Sequence, residues 1–149
     1  PPVEQIGGIP RLFSSYDNYR RYLDIYDSPN NAIEFCQGTI SEMTDSSGNN
    51  IYPFIEEMVR RDKVLYVHFR NVSAPNPNDF QEEFINTGHV DMYRAMKTYY
   101  DAGYEGLLLD DHVPRTQGDT DWQHQSRSYA FGYIQAMIEA VEKQGAASN

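Results

Sequence analysis

Residues 106–114, Gly-Leu-Leu-Leu-Asp-Asp-His-Val-Pro, constrain the fold more than any other stretch of the chain. Three consecutive leucines predict a strand buried on both faces, the pattern of a parallel sheet covered by helices. Two carboxylates and an imidazole follow at once. Such groups are costly to bury unless they are paired, hydrogen-bonded or bound to a metal. Pro114 then ends the strand. Folds of the α/β class carry their chemistry at the carboxyl ends of strands like this one. Taken alone, the stretch reads equally well as an Asp-Asp turn whose histidine caps the next helix.

The rest of the chain alternates around it. Residues 15–26 predict a helix, with Ser15 or Asp17 as N-cap and Tyr19, Tyr22, Leu23 and Tyr26 on one stripe. Residues 32–36 predict a short strand, left through Gln37-Gly38-Thr39. A second helix follows over 51–61, with Ile51, Ile55, Met58 and Val59 on one side. Residues 64–70 are the clearest strand, rich in β-branched and aromatic side chains. A third helix covers 91–102 and stops at Gly103. The third strand is 106–110, and the last helix covers 124–143, with Tyr129, Tyr133, Ala136, Met137 and Ala140 on its buried side. Residues 1–13, 46–50 and 113–121 predict loops, and 145–149 a flexible tail. The polar stretch 71–86 is long enough to predict an excursion that serves a site.

The order is therefore α-β-α-β-α-β-α, which implies a parallel sheet with right-handed crossovers. Three strands leave two open, apolar edges. The chain thus predicts part of a larger α/β assembly, most simply a slice of a TIM (β/α)8 barrel, which needs about 250 residues.

Composition narrows the partners. A net charge of -10 over 149 residues argues against a nucleic-acid backbone, which needs a basic face. No apolar run approaches the ~20 residues of a membrane span. The lone Cys36 excludes an internal disulfide and suggests a reducing compartment. No basic segment followed by an apolar one marks a signal peptide, so a cytoplasmic location is expected. The start, Pro1-Pro2-Val3, lacks an initiator Met and suggests a processing or cleavage boundary.

Each predicted strand ends in a metal-ligand type: Cys36, His68 and Asp111. In the second strand Tyr66, His68 and Arg70 share a face, a polar lining unlike a helix-packing surface. A thiolate, an imidazole and a carboxylate suit Mn, Fe or Zn, and three protein ligands with open positions describe a catalytic site. The plainer alternatives are a small buried cysteine, a core histidine and a capping aspartate. Pattern alone leaves both readings open.

Several motifs then point to a family. Phe35-Cys-Gln-Gly-Thr39 with Ser41-Glu42-Met43, Tyr66-Val-His-Phe-Arg-Asn71, Gly88-His-Val-Asp-Met92, Asp111-His-Val-Pro114 and Tyr129-Ala-Phe-Gly-Tyr133 resemble mannonate dehydratase, in order and over essentially the whole chain. The resemblance implies a xylose-isomerase-like TIM barrel of which residues 1–149 form the C-terminal portion of the single domain, three strands and four helices. It implies dehydration of D-mannonate to 2-keto-3-deoxy-D-gluconate in glucuronate breakdown, with Mn(II) or Fe(II). It also implies Cys36, His68 and Asp111 as metal ligands and His112 as an acid/base residue. Arg70 is expected to fork onto the substrate carboxylate, or else to pair with Glu34 or Glu42.

The expected partners are the N-terminal half of the barrel and a second copy in a homodimer. The family places a fourth ligand, a histidine, just before the segment matching Pro1-Pro2. This chain also departs from the family in the loop 115–126, which has no tyrosine where the family has a second acid/base residue; Trp122 and His124 stand there instead. A metal-dependent sugar isomerase or epimerase on the same barrel, and a non-catalytic barrel fragment, are the alternatives.

Overall fold

The structure, a computed structural model, describes residues 2–43 and 50–147. It begins with a small antiparallel hairpin, β1 (Gln5–Ile6) and β2 (Ile9–Pro10). Gly7 and Gly8 turn it with φ of 57° and 80°, positive at both residues as a type I′ hairpin turn requires. This segment reads as a loop in the sequence because two-residue strands show no alternation. Helix α1 (Tyr16–Ile25) follows, and Ser15 is its N-cap, accepting from the Asn18 amide. Strand β3 (Ile33–Cys36) leads directly into a short helix, α2 (Gln37–Ser41), where the sequence suggests only a strand exit. Helix α3 (Ile51–Arg60) and strand β4 (Val64–His68) come next.

The excursion after β4 contains its own antiparallel pair, β5 (Asn71–Val72) and β6 (Glu82–Glu83). Helix α4 (Met92–Ala102) is capped by Asp91, which accepts from the Arg94 amide, and ends at Gly103 in the left-handed conformation at φ 88°. Strand β7 (Leu107–Leu109) and helix α5 (His124–Ala147) complete the chain. Helix α5 runs through residues 145–147, part of the stretch expected to be a flexible tail, and Gly145 packs against Tyr100 there. Residues 148–149 lie outside the described residues, as does most of the loop expected over 46–50.

The central sheet has the order β3-β4-β7, all parallel. Its register pairs Glu34 with Tyr66, Cys36 with His68, Tyr66 with Leu107, and His68 with Leu109. Period two then assigns the faces. Glu34, Cys36, Tyr66, His68, Leu107 and Leu109 share one, and Phe35, Val67 and Leu108 the other. The pairing slips between Ile33 and Glu34, which makes Leu65 the extra residue of a bulge and leaves it exposed.

The helices cover only the second face. Phe35, Val67 and Phe69 are fully buried in one cluster with Phe54, Ile55 and Met58 of α3, Met96 and Tyr99 of α4, and Ile134, Met137 and Val141 of α5. Tyr99 stands edge-on to both Phe35 and Phe69, at 6.0 Å each. The first face is open: Leu107 is 69% exposed and Leu109 37%. Burial of β7 on both faces, as the leucine run predicts, is thus not met among the described residues. The run reports that both faces are apolar; it does not report what covers each.

Helix α5 turns inward a side that meets the expected one only in part: Met137 is buried and Tyr133 packs against the core, as expected, but the rest of the stripe differs. Ala130, Ile134, Met137 and Val141 are buried, while Tyr129, Ala136 and Ala140 are exposed. Tyr129 instead donates its hydroxyl to Asn86 and meets the Phe84 ring edge-on, so the aromatic belongs to the excursion and not to the core. In α1, likewise, Tyr19 and Leu23 are buried while Tyr22 and Tyr26 are exposed.

Candidate metal centre

The parallel register brings the carboxyl ends of β3, β4 and β7 side by side. Cys36 and His68 end adjacent strands at the same level, and Asp111 follows β7 by two residues. Asp111 adopts the left-handed conformation at φ 55°, uncommon outside glycine. The two carboxylates of the Asp-Asp pair then part. Asp110 is buried and takes an ion pair from Arg127 of α5 at 2.9 Å, whereas Asp111 Oδ2 lies 3.5 Å from His68 Nδ1. His112 is next along the chain, 63% exposed in its side chain, with Nε2 3.5 Å from Asp111 Oδ1.

Glu34, Cys36 and His68 each offer a ligand atom within 4.8 Å of the others. The Glu34 carboxylate contacts His68 Nδ1 at 2.7 Å. Among the described residues the close group is therefore Glu34, Cys36 and His68, not the trio singled out in the sequence: Glu34 takes the third place, and Asp111 stands beside His68 with the same oxygen 2.9 Å from Arg70 Nε. The readable sign for Glu34 was its spacing: it stands two residues before Cys36 and shares its face. A carboxylate, a thiol and an imidazole on neighbouring parallel strands form a donor set that suits a divalent transition metal.

Arg70 lies at the centre of the anionic groups, with its side chain 6% exposed. Its Nη1 donates to both oxygens of Glu82, at 2.9 and 3.0 Å. Its Nη2 donates to Thr39 Oγ1 at 3.1 Å and reaches Cys36 Sγ at 3.5 Å. Nε stands 2.9 Å from Asp111 Oδ2, an ion contact in which the N–H is not aligned for a hydrogen bond. Burial works against this charge, but Cys36, Glu82 and Asp111 more than offset it and raise its pKa. The expected pairing of Arg70 with Glu34 or Glu42 is therefore only partly met. Glu34 turns to His68, Glu42 stands 3.8 Å away, and Glu82 and Asp111 are the close partners. Glu82 escaped the sequence reading because it arrives on the excursion, 12 residues from Arg70.

The stretch Cys36-Gln-Gly-Thr39 is organised on Arg70. Cys36 and Thr39 bond its guanidinium, and the Cys36 thiol donates to Thr39 Oγ1 at 3.1 Å. Gln37 is buried and donates to the Arg70 carbonyl at 3.3 Å and to Met92 Sδ at 3.1 Å. Gly38 leaves the space that the guanidinium fills. Glu42, at the end of α2, is buried with neither oxygen hydrogen-bonded among the described residues. Burial pushes its carboxyl up to about 7, against the pull of Arg70.

Other motif residues prove to be supports. Asn71 donates to the carbonyls of Ile85 and Val90 and accepts from the amides of Val72 and Val90, which pins the excursion. Gly88 packs against that amide, His89 reaches Ser41 of α2, and Asp91 caps α4. Trp122 is exposed, and its carbonyl accepts from Arg127. His124 Nδ1 bonds Thr120 at 2.8 Å. An open cleft of about 520 Å³ between Phe84, Thr116, Ser126 and Tyr129 is lined by none of the candidate ligands.

A parallel sheet carrying a thiol–imidazole–carboxylate group at its carboxyl ends defines a mixed α/β chain with a candidate metal centre. The particular family follows from comparison: the D-mannonate dehydratase (UxuA) family model matches residues 1–148, and the chain belongs to that family. It is 32% identical over 150 residues to a mannonate dehydratase of Lactococcus lactis subsp. lactis, covering 96% of this chain and 41% of that protein. It is 30% identical to one of Brachyspira hyodysenteriae, covering 97% of this chain and 41% of the relative. The crystal structure of mannonate dehydratase from Streptococcus suis serotype2 superposes with a TM-score of 0.86 at 28% identity, over 97% of this chain and 42% of that one. The chain thus spans about two fifths of the length of these relatives. No described helix is long and apolar enough to cross a membrane.

Proposed function

We propose that residues 1–149 form the C-terminal portion of a single TIM-barrel domain that dehydrates D-mannonate to 2-keto-3-deoxy-D-gluconate, a step of glucuronate breakdown. The observation that carries this reading is the meeting of Cys36 and His68 at the ends of adjacent parallel strands, with Asp111 against His68 and His112 beside Asp111, in a chain of this family. The open face of the sheet, with Leu107 and Leu109 exposed, is the inner wall that the remaining strands would cover.

Cys36, His68 and Asp111 would hold the metal, Mn(II) or Fe(II), with Glu34 beside His68 as an orienting carboxylate or a further donor. The bound ion supplies Lewis-acid chemistry and a template for substrate oxygens. The reaction removes the proton α to the carboxylate and expels the β-hydroxyl. His112 moves a proton at these positions: imidazole is the side chain suited to proton transfer near neutral pH, and His112 is exposed beside Asp111. The guanidinium of Arg70 supplies the positive charge that draws the substrate carboxylate in. A cytoplasmic homodimer is the assembly in which we place the enzyme; the single thiol suits a reducing compartment.

The test is to incubate the complete gene product with D-mannonate and Mn(II) and to follow the 2-keto product. The expected result is water loss that a chelator abolishes. Interconversion of an aldose and a ketose, with no loss of water, would replace this reading with a sugar isomerase.

A further inference from the structure

We propose that Glu82 is a positioning residue for the metal-ligand set and acts through Arg70. The inference rests on the metal reading above and extends it to a residue on the excursion. Glu82 and Glu83 are adjacent on β6 and differ in their engagements. Glu82 grips Arg70 Nη1 with both oxygens, at 2.9 and 3.0 Å. The Glu83 carboxylate accepts from the Thr87 hydroxyl at 3.0 Å and makes no described contact with Arg70.

A guanidinium is a rigid fork, so fixing one nitrogen fixes the direction of the others. With Nη1 held by Glu82, Nη2 meets Cys36 Sγ and Thr39, and Nε faces Asp111. One side chain therefore contacts two of the three proposed ligands, one at the end of β3 and one just past β7, and its orientation is set by a third group, Glu82. The carboxylate itself is anchored. Val72 pairs with Glu82 in the β5–β6 ladder, and the buried Asn71 amide ties β5 to Ile85 and Val90 beyond β6. Gly88 has no room for a side chain there: a Cβ would stand 2.6 Å from the Val72 carbonyl oxygen. The path from the excursion to the ligands thus runs from the half-buried Glu82 through the buried Arg70, each held by hydrogen bonds.

The sign of the effect follows from charge as well as geometry. Without the Glu82 carboxylate, Arg70 loses its orientation and keeps its full positive charge beside a cation site. Both changes weaken metal binding. Loss of such outer partners typically costs about 10–100-fold in affinity.

The experiment titrates Co(II) into the complete gene product and reads both the dissociation constant and the thiolate-to-cobalt absorption, a signature that general loosening of the fold would not select. Glu82→Gln is expected to weaken Co(II) about 10–100-fold and to alter the band. Glu83→Gln is expected to bind as wild type does. In an Arg70→Met background, Glu82→Gln is expected to cost nothing further, because its effect passes through Arg70.

Unchanged affinity and spectrum in Glu82→Gln, or an equal loss with and without Arg70, would overturn the inference. Should Glu82→Gln fail to fold, Arg70→Lys carries the same test: it keeps the charge, loses the fork, and is expected to lose Co(II) affinity to a similar degree. An Arg70→Lys protein that binds as wild type does would overturn it equally. Wild-type protein with no Co(II) spectrum would overturn the metal reading itself, a result distinct from those just named.

Discussion

Gly38 lies directly against the guanidinium of Arg70. A Cβ on Gly38 would stand 2.8 Å from Arg70 Nε and overlap the rest of the group. The glycine is therefore needed for space. Its place is inside helix α2, where alanine would favour the helix by roughly 1 kcal/mol. Gly38→Ala is expected to leave the fold intact, since the clash is with the end of a side chain. It should displace Arg70 and lower metal affinity by about 10-fold or more. Unchanged Co(II) binding in a folded Gly38→Ala protein would show that the guanidinium has room elsewhere.

Asn71 spends its whole amide on the backbone of the excursion, through two donated and two accepted bonds. Asn71→Ala strands buried partners, at roughly 1–3 kcal/mol for each group left unsatisfied. We expect a thermal midpoint several degrees lower, with hydrogen exchange rising first over residues 82–90. Uniform exchange across the chain would instead assign Asn71 to the global core.

Glu42 ties stability to pH. Burial raises its carboxyl from 4.5 to about 7. Between these values the folded chain keeps a proton that the unfolded chain has released. The contribution of this group is present below pH 4.5 and is lost as pH rises to about 7. Glu42→Gln, uncharged at every pH, should raise the thermal midpoint at pH 8 and leave it little changed at pH 4.5. Melts at both pH values check this, and an equal gain at both would point to packing.

His112 is expected to separate chemistry from binding. Its side chain is exposed and contacts Asp111 only at 3.5 Å. His112→Asn should bind Co(II) as wild type does yet lose about 100-fold or more in turnover of D-mannonate, the scale of a lost acid/base group. Normal turnover would remove His112 from the mechanism and direct attention to the loop that carries Trp122 and His124.

Much of this organisation was legible in the residues. The alternation of helix and strand, the Ser15 cap and the Gly103 stop are local properties: each depends on backbone dihedrals and on partners a few residues away. The strand ends were legible for the same reason, since period two puts His68 on one face and Val67 on the other whatever packs against them. The face of α5 was legible only at Tyr133 and Met137. Tyr129 and Ile134 are both apolar enough for a core, and only the excursion, offering Asn86 and Phe84, drew the tyrosine away.

The sequence by itself determined the parallel α/β class, the places of Cys36 and His68 at the ends of adjacent strands, and the family. These rest on short-range patterns and on motifs that survive without coordinates. Only the tertiary structure decided that Asp110 turns to Arg127 while Asp111 turns to the site, that Glu34 serves His68, and that Glu82 holds Arg70. Those pairings join residues far apart in the chain. Several carboxylates could have satisfied each cation, and their spacing along the chain does not rank them. The fold chooses among them by distance, because a buried charge keeps its charge only beside the partner that packing brings within reach.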